Sequence, residues 1–420
     1  MLGGVLRRSP VRSALTVAVA TLLLAGTACT SASKPVTLSV TLSEFKVAAP
    51  ATAPANRPLQ FNIKNAGSAA HVLSLVANGK TYATPEIGPG LSGKLAVPAL
   101  PAGRYKLFCS LPGHREAGME TSLLVGSGVA AAASSMTSDE VDAAHEAGVN
   151  AFPAKTGVMG NQVLKPRIQN GRKIFDITPK AVRWEVSPGE FIDGYGYNGQ
   201  IPGPQIHVKT GDKIRVVLHN ELPESTTIHM HGIELPNAMD GVPYLTQPPV
   251  KPDESFNYEF TVADPPGTYM YHSHHNATFQ VGRGLFGAMI VDEPKKTVDV
   301  DETIMMSDGD LGFLLNGKSF PATSPITSKL GQRVRIRLIN AGQLMHPMHL
   351  HGIHFKVVAK DGRPLESPYL ADTQAVAPGE TWDVELTTSL TGKWAFHCHI
   401  LPHAESEHGM HGMVTALIVS

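Results

Sequence analysis

One strand pattern recurs three times in this chain and constrains its fold more than any other feature. It reads Pro101-Ala-Gly-Arg-Tyr-Lys-Leu-Phe-Cys109, then Pro266-Gly-Thr-Tyr-Met-Tyr-His-Ser273, then Thr391-Gly-Lys-Trp-Ala-Phe-His-Cys398. Each copy has a glycine with an aromatic two residues later, and six residues on from Gly103, Gly267 and Gly392 stand Cys109, Ser273 and Cys398. Copies so far apart mark repeated domains rather than repeated turns of one element, so three related domains are expected. A second match, His229-Met-His-Gly-Ile-Glu-Leu with His349-Leu-His-Gly-Ile-His-Phe, ties the second and third domains together more closely. Short β-prone runs such as Lys213 to Leu218, entered through Gly211-Asp212, read as strands joined by turns. The expected class is all-β.

Composition fills in the divisions. The stretch from Gly126 to about Lys165 is rich in Ala, Ser and Gly and holds a helical segment starting at Ser138, so it reads as a linker over 127–165. Domains over 36–126, 166–293 and 294–420 follow. At the N-terminus, Arg7, Arg8 and Arg12 precede an apolar stretch from Ala14 to Ala25 and small residues up to Cys29, the layout of a signal peptide over 1–29. Export out of the cytoplasm is therefore expected. Gly26-Thr-Ala-Cys29 looks like a lipoprotein cleavage site, with Gly26 where Leu is usual, so a lipid on Cys29 is the one membrane anchor the chain offers. Lys plus Arg number 35 and Asp plus Glu 36, a balance that gives no reason to expect nucleic acid as a partner.

An exported chain would ordinarily use its cysteines in disulfides, but only Cys29, Cys109 and Cys398 occur. Cys29 would leave or be acylated. Cys109 and Cys398 each have His and Met close by, the setting of a metal thiolate rather than of a bridge to one another. Histidines supply the rest. Side chains at i and i+2 of a strand share a face, so His-x-His aims two imidazoles at one site. Four such pairs are present: His229 and His231, His272 and His274, His349 and His351, His397 and His399. Eight neutral imidazoles can hold a group of copper ions with positions left open for a ligand. In the last pair the intervening residue is Cys398, projecting to the opposite face, where His346, His403 and a methionine at 410 or 413 complete a second set. In the first domain His71, Cys109, His114 and Met119 form a similar mononuclear set without any His-x-His.

His346-Pro-Met-His-Leu-His351 and His397-Cys-His-Ile-Leu-Pro-His403 resemble the paired signatures of the multicopper oxidases, the laccase-like family, over roughly residues 166–420. The first domain's Phe108-Cys-Ser-Leu-Pro-Gly-His-Arg-Glu-Ala-Gly-Met119 resembles the copper loop of cupredoxins. The resemblance implies three cupredoxin-like Greek-key β-sandwiches. It implies that His346, Cys398 and His403 bind a type 1 copper, His229 and His349 a type 2 copper, and His231, His272, His274, His351, His397 and His399 a type 3 pair. It places Asp240 near the cluster as an aid to proton movement, against the plainer reading of a turn aspartate. The family usually has its axial Met five residues after the last His, where this chain has His408. A two-residue insertion would make Gly409-Met410-His-Gly412 the family's ending and favours Met410, with Met413 as rival.

Ser273, Thr226 and Thr278 stand where a mononuclear site of the second domain would need Cys398, His346 and His403. This pattern is similar to two-domain members whose cluster forms between neighbouring subunits, which implies a homotrimer. The implied activity is oxidation of a small-molecule or metal-ion reductant (phenols, aromatic amines or cuprous ion) with dioxygen as acceptor. Copper nitrite reductase is the alternative. It expects its mononuclear cysteine at position 273 and only three catalytic histidines.

Overall fold

The computed structural model describes residues 34–43, 46–77, 80–111, 114–115, 119–126, 138–406 and 409–420. The expected signal peptide with Cys29, part of the expected linker and His408 lie outside the described residues. Among those described, no helix is long and apolar enough to cross a membrane.

Strands pair in three self-contained sets. The first, over Val36–Val125, makes a four-stranded and a five-stranded sheet; the second, over Val163–Val291, makes the same pair plus the hairpin Pro179–Ser187/Glu190–Tyr197; the third, over Val300–Val419, makes a six-stranded and a five-stranded sheet. Each set encloses its own apolar core, built around Phe61, Tyr258 and Phe355 respectively. Alternation along the strands explains this: Val36–Ser43 buries Leu38, Val40 and Leu42 and exposes the residues between. The helix read at Ser138 runs Ser138–Ala151. Val163–Leu164 pairs in parallel with Gly203–Val208, so the second domain takes up chain before residue 166. That short strand carries too little apolar pattern to be seen in the sequence.

A shared device shapes the three domains where the sites form. Asn65, Asn220 and Asn340 are fully buried at or just beyond equivalent strand ends. Each side-chain amide donates to a carbonyl four residues on (Ala69, Glu224, Leu344; 2.7, 2.9 and 2.7 Å) and to a distant one (Ile87, Val250, Val376; 2.8, 2.9 and 2.9 Å). Each Oδ1 accepts the N–H two residues on (Gly67, Leu222, Gly342) at 2.9, 3.0 and 2.8 Å. Three such bonds contribute roughly 3 kcal/mol per domain, and any left unmade would cost about as much again. Six residues after each asparagine stand His71, Thr226 and His346. The asparagine thus sets the loop that aims the first side chain of each mononuclear position.

The second and third domains are fused by a further apolar cluster that includes Trp184, Ile201, Met270, Phe286, Met305 and Ile339. Trp184 Nε1 donates to Gly317 O at 2.6 Å, and the ammonium of Lys318, buried 4.2 Å over the Trp184 ring, donates to Glu185 O at 2.6 Å. Arg337 bonds Asp301 at 2.7 Å and, across the junction, Thr268 at 2.8 Å. With its charged groups paired and its apolar groups packed, this junction holds the two domains as one body.

Candidate metal centres

Within the last domain, burial alternates along Gly392–Cys398: His397 is half-buried, Cys398 fully buried and His399 exposed. The thiol therefore turns into the sandwich and the two imidazoles turn out. His349 lies directly opposite His397 on the antiparallel neighbour His346–Leu350, and Met348 lies opposite Cys398. The second domain repeats this: His229 faces His272 across His229–His231 and Gly267–His272, with Met230 and Ser273 buried between the histidines of each pair.

Each domain thereby gathers four imidazoles on the outer face of two strands. In the second domain the ring centres of His229 lie 5.7, 5.3 and 5.5 Å from those of His231, His272 and His274, and His231 Nδ1 is 3.4 Å from His272 Nε2. In the last domain His349 lies 4.8, 5.7 and 5.3 Å from His351, His397 and His399, and the Nε2 atoms of His351 and His397 are 3.0 Å apart. Among the described residues, every ring contact of these eight histidines stays within its own group of four.

Second partners orient the rings. His229 Nδ1 lies 2.7 Å from Asp240 O and 3.3 Å from its carboxylate; His349 Nδ1 lies 3.0 Å from Asp372 O and 2.9 Å from Thr373 Oγ1. His272 and His397 direct Nδ1 to the carbonyls of Ser273 and Cys398 at 2.8 and 2.9 Å. An Nδ1–H committed to a carbonyl leaves Nε2 with its lone pair free for a metal. Burial pushes His272 down to about 4 and lowers His231, His351 and His397 too, so these rings are neutral near pH 7. Asp372 does for His349 what Asp240 does for His229. Sequence reading missed it, and its only signal was the Asp372-Thr373 step ahead of a strand.

Two mononuclear sets are assembled inside the sandwiches. The donor atoms of His346, Cys398 and His403 all lie within 4.8 Å of one another, as do those of His71, Cys109 and His114. In the last domain, Cys398 Sγ is 3.8 and 3.6 Å from the Nδ1 atoms of His346 and His403, which are 3.3 Å apart. In the first domain the two Nδ1 atoms are 3.2 Å apart and Cys109 Sγ is 3.5 Å from that of His114. Burial pushes the Cys398 thiol up to about 11 and His403 down to about 4, so a bound cation would have to displace the thiol proton and would find the imidazole already neutral. Two imidazoles and a thiolate converging in a dry pocket fit copper. Phe313 stacks on His403 at 3.8 Å, and His346 Nε2 sits 3.0 Å from the buried Asp308 carboxylate.

The structure departs from expectation at the methionine. In the first domain Cys109 N–H donates to Met119 O at 2.9 Å and Met119 N–H to His114 O at 3.0 Å; in the last, Cys398 N–H donates to Met413 O at 3.0 Å and Met413 N–H to His403 O at 2.8 Å. Met119 and Met413 are both fully buried, whereas Met410 is 39% exposed. Met413, not Met410, thus holds the backbone position of Met119. The intervening residues form a small hairpin, Glu405–Ser406 with Gly409–Met410, longer than a two-residue insertion. The equivalent position of the second domain is closed off: Ser273 Oγ and Thr226 Oγ1 donate to Gln280 Oε1 at 2.5 and 2.8 Å, and Gln280 Nε2 donates to Ser225 O at 2.8 Å. Gln280 fills that pocket. Thr278 lies on the short helix Ala277–Gly282, which lines a cavity between the domains.

Comparison with known proteins agrees with this geometry. Models described as multicopper oxidase match residues 180–296 and 293–420, and a cupredoxin-like domain model matches residues 14–119. The solved structure of the multicopper oxidase mgLAC is 37% identical, with a TM-score of 0.56, over 59% of this chain and 86% of that one. Laccase-1 of Cryptococcus neoformans var. grubii is 32% identical over 51% of this chain and 41% of its own length. A probable nitrite reductase-hydroxylamine oxidoreductase fusion protein of Kuenenia stuttgartiensis is 29% identical over 60% of this chain and 32% of its own length. The chain spans well under half the length of these two curated relatives.

Proposed function

Because the chain belongs to the multicopper oxidase family, we propose that it couples one-electron oxidation of a reducing substrate to four-electron reduction of dioxygen to water. The observation that carries this reading is the strand ending at Cys398, with a buried thiol between two outward imidazoles. His346, Cys398 and His403 would hold a type 1 copper. His229 and His349 would hold the type 2 ion, and His231, His272, His274, His351, His397 and His399 the type 3 pair. Bound copper supplies the electron-accepting and dioxygen-reducing chemistry. The chain's own part is to keep the imidazoles neutral and aimed, to bury the thiolate, and to present the Asp240 carboxylate beside His229 for proton movement. Cys398 is covalently continuous with His397 and His399, a short route between the sites. His71, Cys109, His114 and Met119 would form a separate blue site that relays or stores electrons.

The reductant is a phenol, an aromatic amine or a metal ion. Met345, next to His346 in the chain, and Met410, in the hairpin after His403, are 49% and 39% exposed, soft donors suited to cuprous ion. We read the molecule as an exported homotrimer, with a lipid on Cys29 as a membrane attachment. The nitrite reductase reading is disfavoured, because Ser273, Thr226 and Gln280 occupy the mononuclear position of the second domain.

Copper content tests the proposal. After loading with excess copper, about five ions per chain are expected, two in blue thiolate sites and three in the cluster; about two, with no signal from a coupled pair, would end the oxidase reading. We assign the axial thioether to Met413. Met413→Leu should shift the reduction potential of one blue site while Met410→Leu leaves it in place, because an axial ligand tunes the potential of such a site. The reverse result would restore Met410.

A further inference from the structure

The mononuclear position of the last domain has a neighbour that no ligand motif contains. Asp308 follows the strand Val300–Ser307 directly and is 3% exposed. Its carboxylate is wrapped by the loop that leads to His346: Gln343 N–H donates to both oxygens at 2.8 and 3.0 Å, Leu344 N–H to Oδ2 at 2.9 Å, and His346 Nε2 lies 3.0 Å from Oδ2. Gly342 leaves room for it, since a Cβ there would come within 2.2 Å of Oδ2. Two backbone N–H groups, those of Gln343 and Leu344, are aimed at its oxygens, the setting that favours a carboxylate in a dry interior. Among the described residues no Lys or Arg pairs with Asp308. Its charge is therefore left to act on whatever His346 binds.

The three domains differ at the position of Asp308. Met306 lies opposite Asn340, and Asp308 stands two residues beyond. In the first domain Leu42 lies opposite Asn65, and two residues beyond stands Glu44, which is outside the described residues. Continuing the Ile177 to Leu218 register of the second domain to Asn220, the same count reaches Ala181. An acidic residue thus occurs in the two domains that have the cysteine and is absent from the one that lost it.

We propose that Asp308 is a positioning residue of the last blue site: through Nε2 it fixes His346 with Nδ1 toward the metal, and its uncompensated buried charge holds the reduction potential of that site down. The inference rests on the copper reading above. A negative charge in a dry interior favours the more highly charged cupric ion over the cuprous, and a carboxylate on the far nitrogen makes the imidazole a stronger donor. The effect reaches the function through the driving force for passing an electron on to the cluster.

The test is a potential measured on full-length, copper-loaded protein with Cys109→Ser in the background, so that one blue site is read alone. Asp308→Asn should keep the blue absorption and raise the potential. At a fixed solution potential the reduced-to-oxidised ratio should rise about tenfold or more, a shift of about 59 mV for a one-electron couple. An unchanged potential with intact absorption would overturn the inference. If the asparagine variant holds no blue copper, Asp308→Glu decides. Blue copper at the native potential in that variant supports a role for the charge, and its absence there too means that Asp308 serves only the loop. A Cys109→Ser parent without blue copper would instead overturn the copper reading itself.

Discussion

Replacing Cys398 with serine should abolish oxidase activity while leaving most of the copper in place. His397 and His399 keep their outward positions in that variant, because a serine fits the buried side of the same strand. The cluster ions should therefore remain. On the proposed assignment the thiolate is lost and with it one of two blue sites, so the blue absorption should fall by about half. Turnover with any reductant should fall further than the roughly 100-fold that loss of an outer partner costs at a metal site. Cys109→Ser offers the contrast, removing the other half of the absorption from a domain that has no His-x-His. Full turnover by Cys398→Ser would mean that electrons enter elsewhere, and the route through this strand would have to be abandoned.

Two inactive variants should restore each other when mixed. His231→Ala/His272→Ala removes half of the second domain's imidazoles, and His351→Ala/His397→Ala removes half of the last domain's. Each alone should lack the cluster. If a cluster forms between the second domain of one subunit and the last domain of its neighbour, trimers assembled from equal amounts of both carry intact pairings at about a quarter of their interfaces. Roughly that share of native activity should return. Within one chain the two groups of four are separate, and among the described residues each is closed on itself in ring contacts. No recovery in demonstrably mixed assemblies would show that each cluster is completed within one chain.

Which histidines and cysteines come to share a face was legible along the chain, because strand periodicity is local. Alternation of side chains decides that His397 and His399 go one way and Cys398 the other, whatever the rest of the protein does, and the burial along this strand follows that rule. The all-β class and the three-fold repeat were legible for the same reason, since Gly103, Gly267 and Gly392 open equivalent strands. Thr226 and Ser273 could likewise be read as a mononuclear position without its ligands.

What surrounds the ligands could not be read this way, because it depends on contacts between distant segments. The backbone counterpart of Met119 turned on an insertion after His403, where Glu405–Ser406 pairs with Gly409–Met410; its length is invisible in a count from His403 but plain in the backbone bonds that Met413 and Met119 share. Gln280 closes a pocket against Thr226, 54 residues away. Asp308 meets His346 across 38 residues because a parallel strand pairing brings Met306 beside Asn340. The sequence by itself determined which imidazoles and thiols are present and the strand faces they share, through the two-residue period of an unbulged strand. Only the tertiary structure decided which methionine is buried with them and which carboxylate stands behind them, because burial and charge are properties of the assembled core.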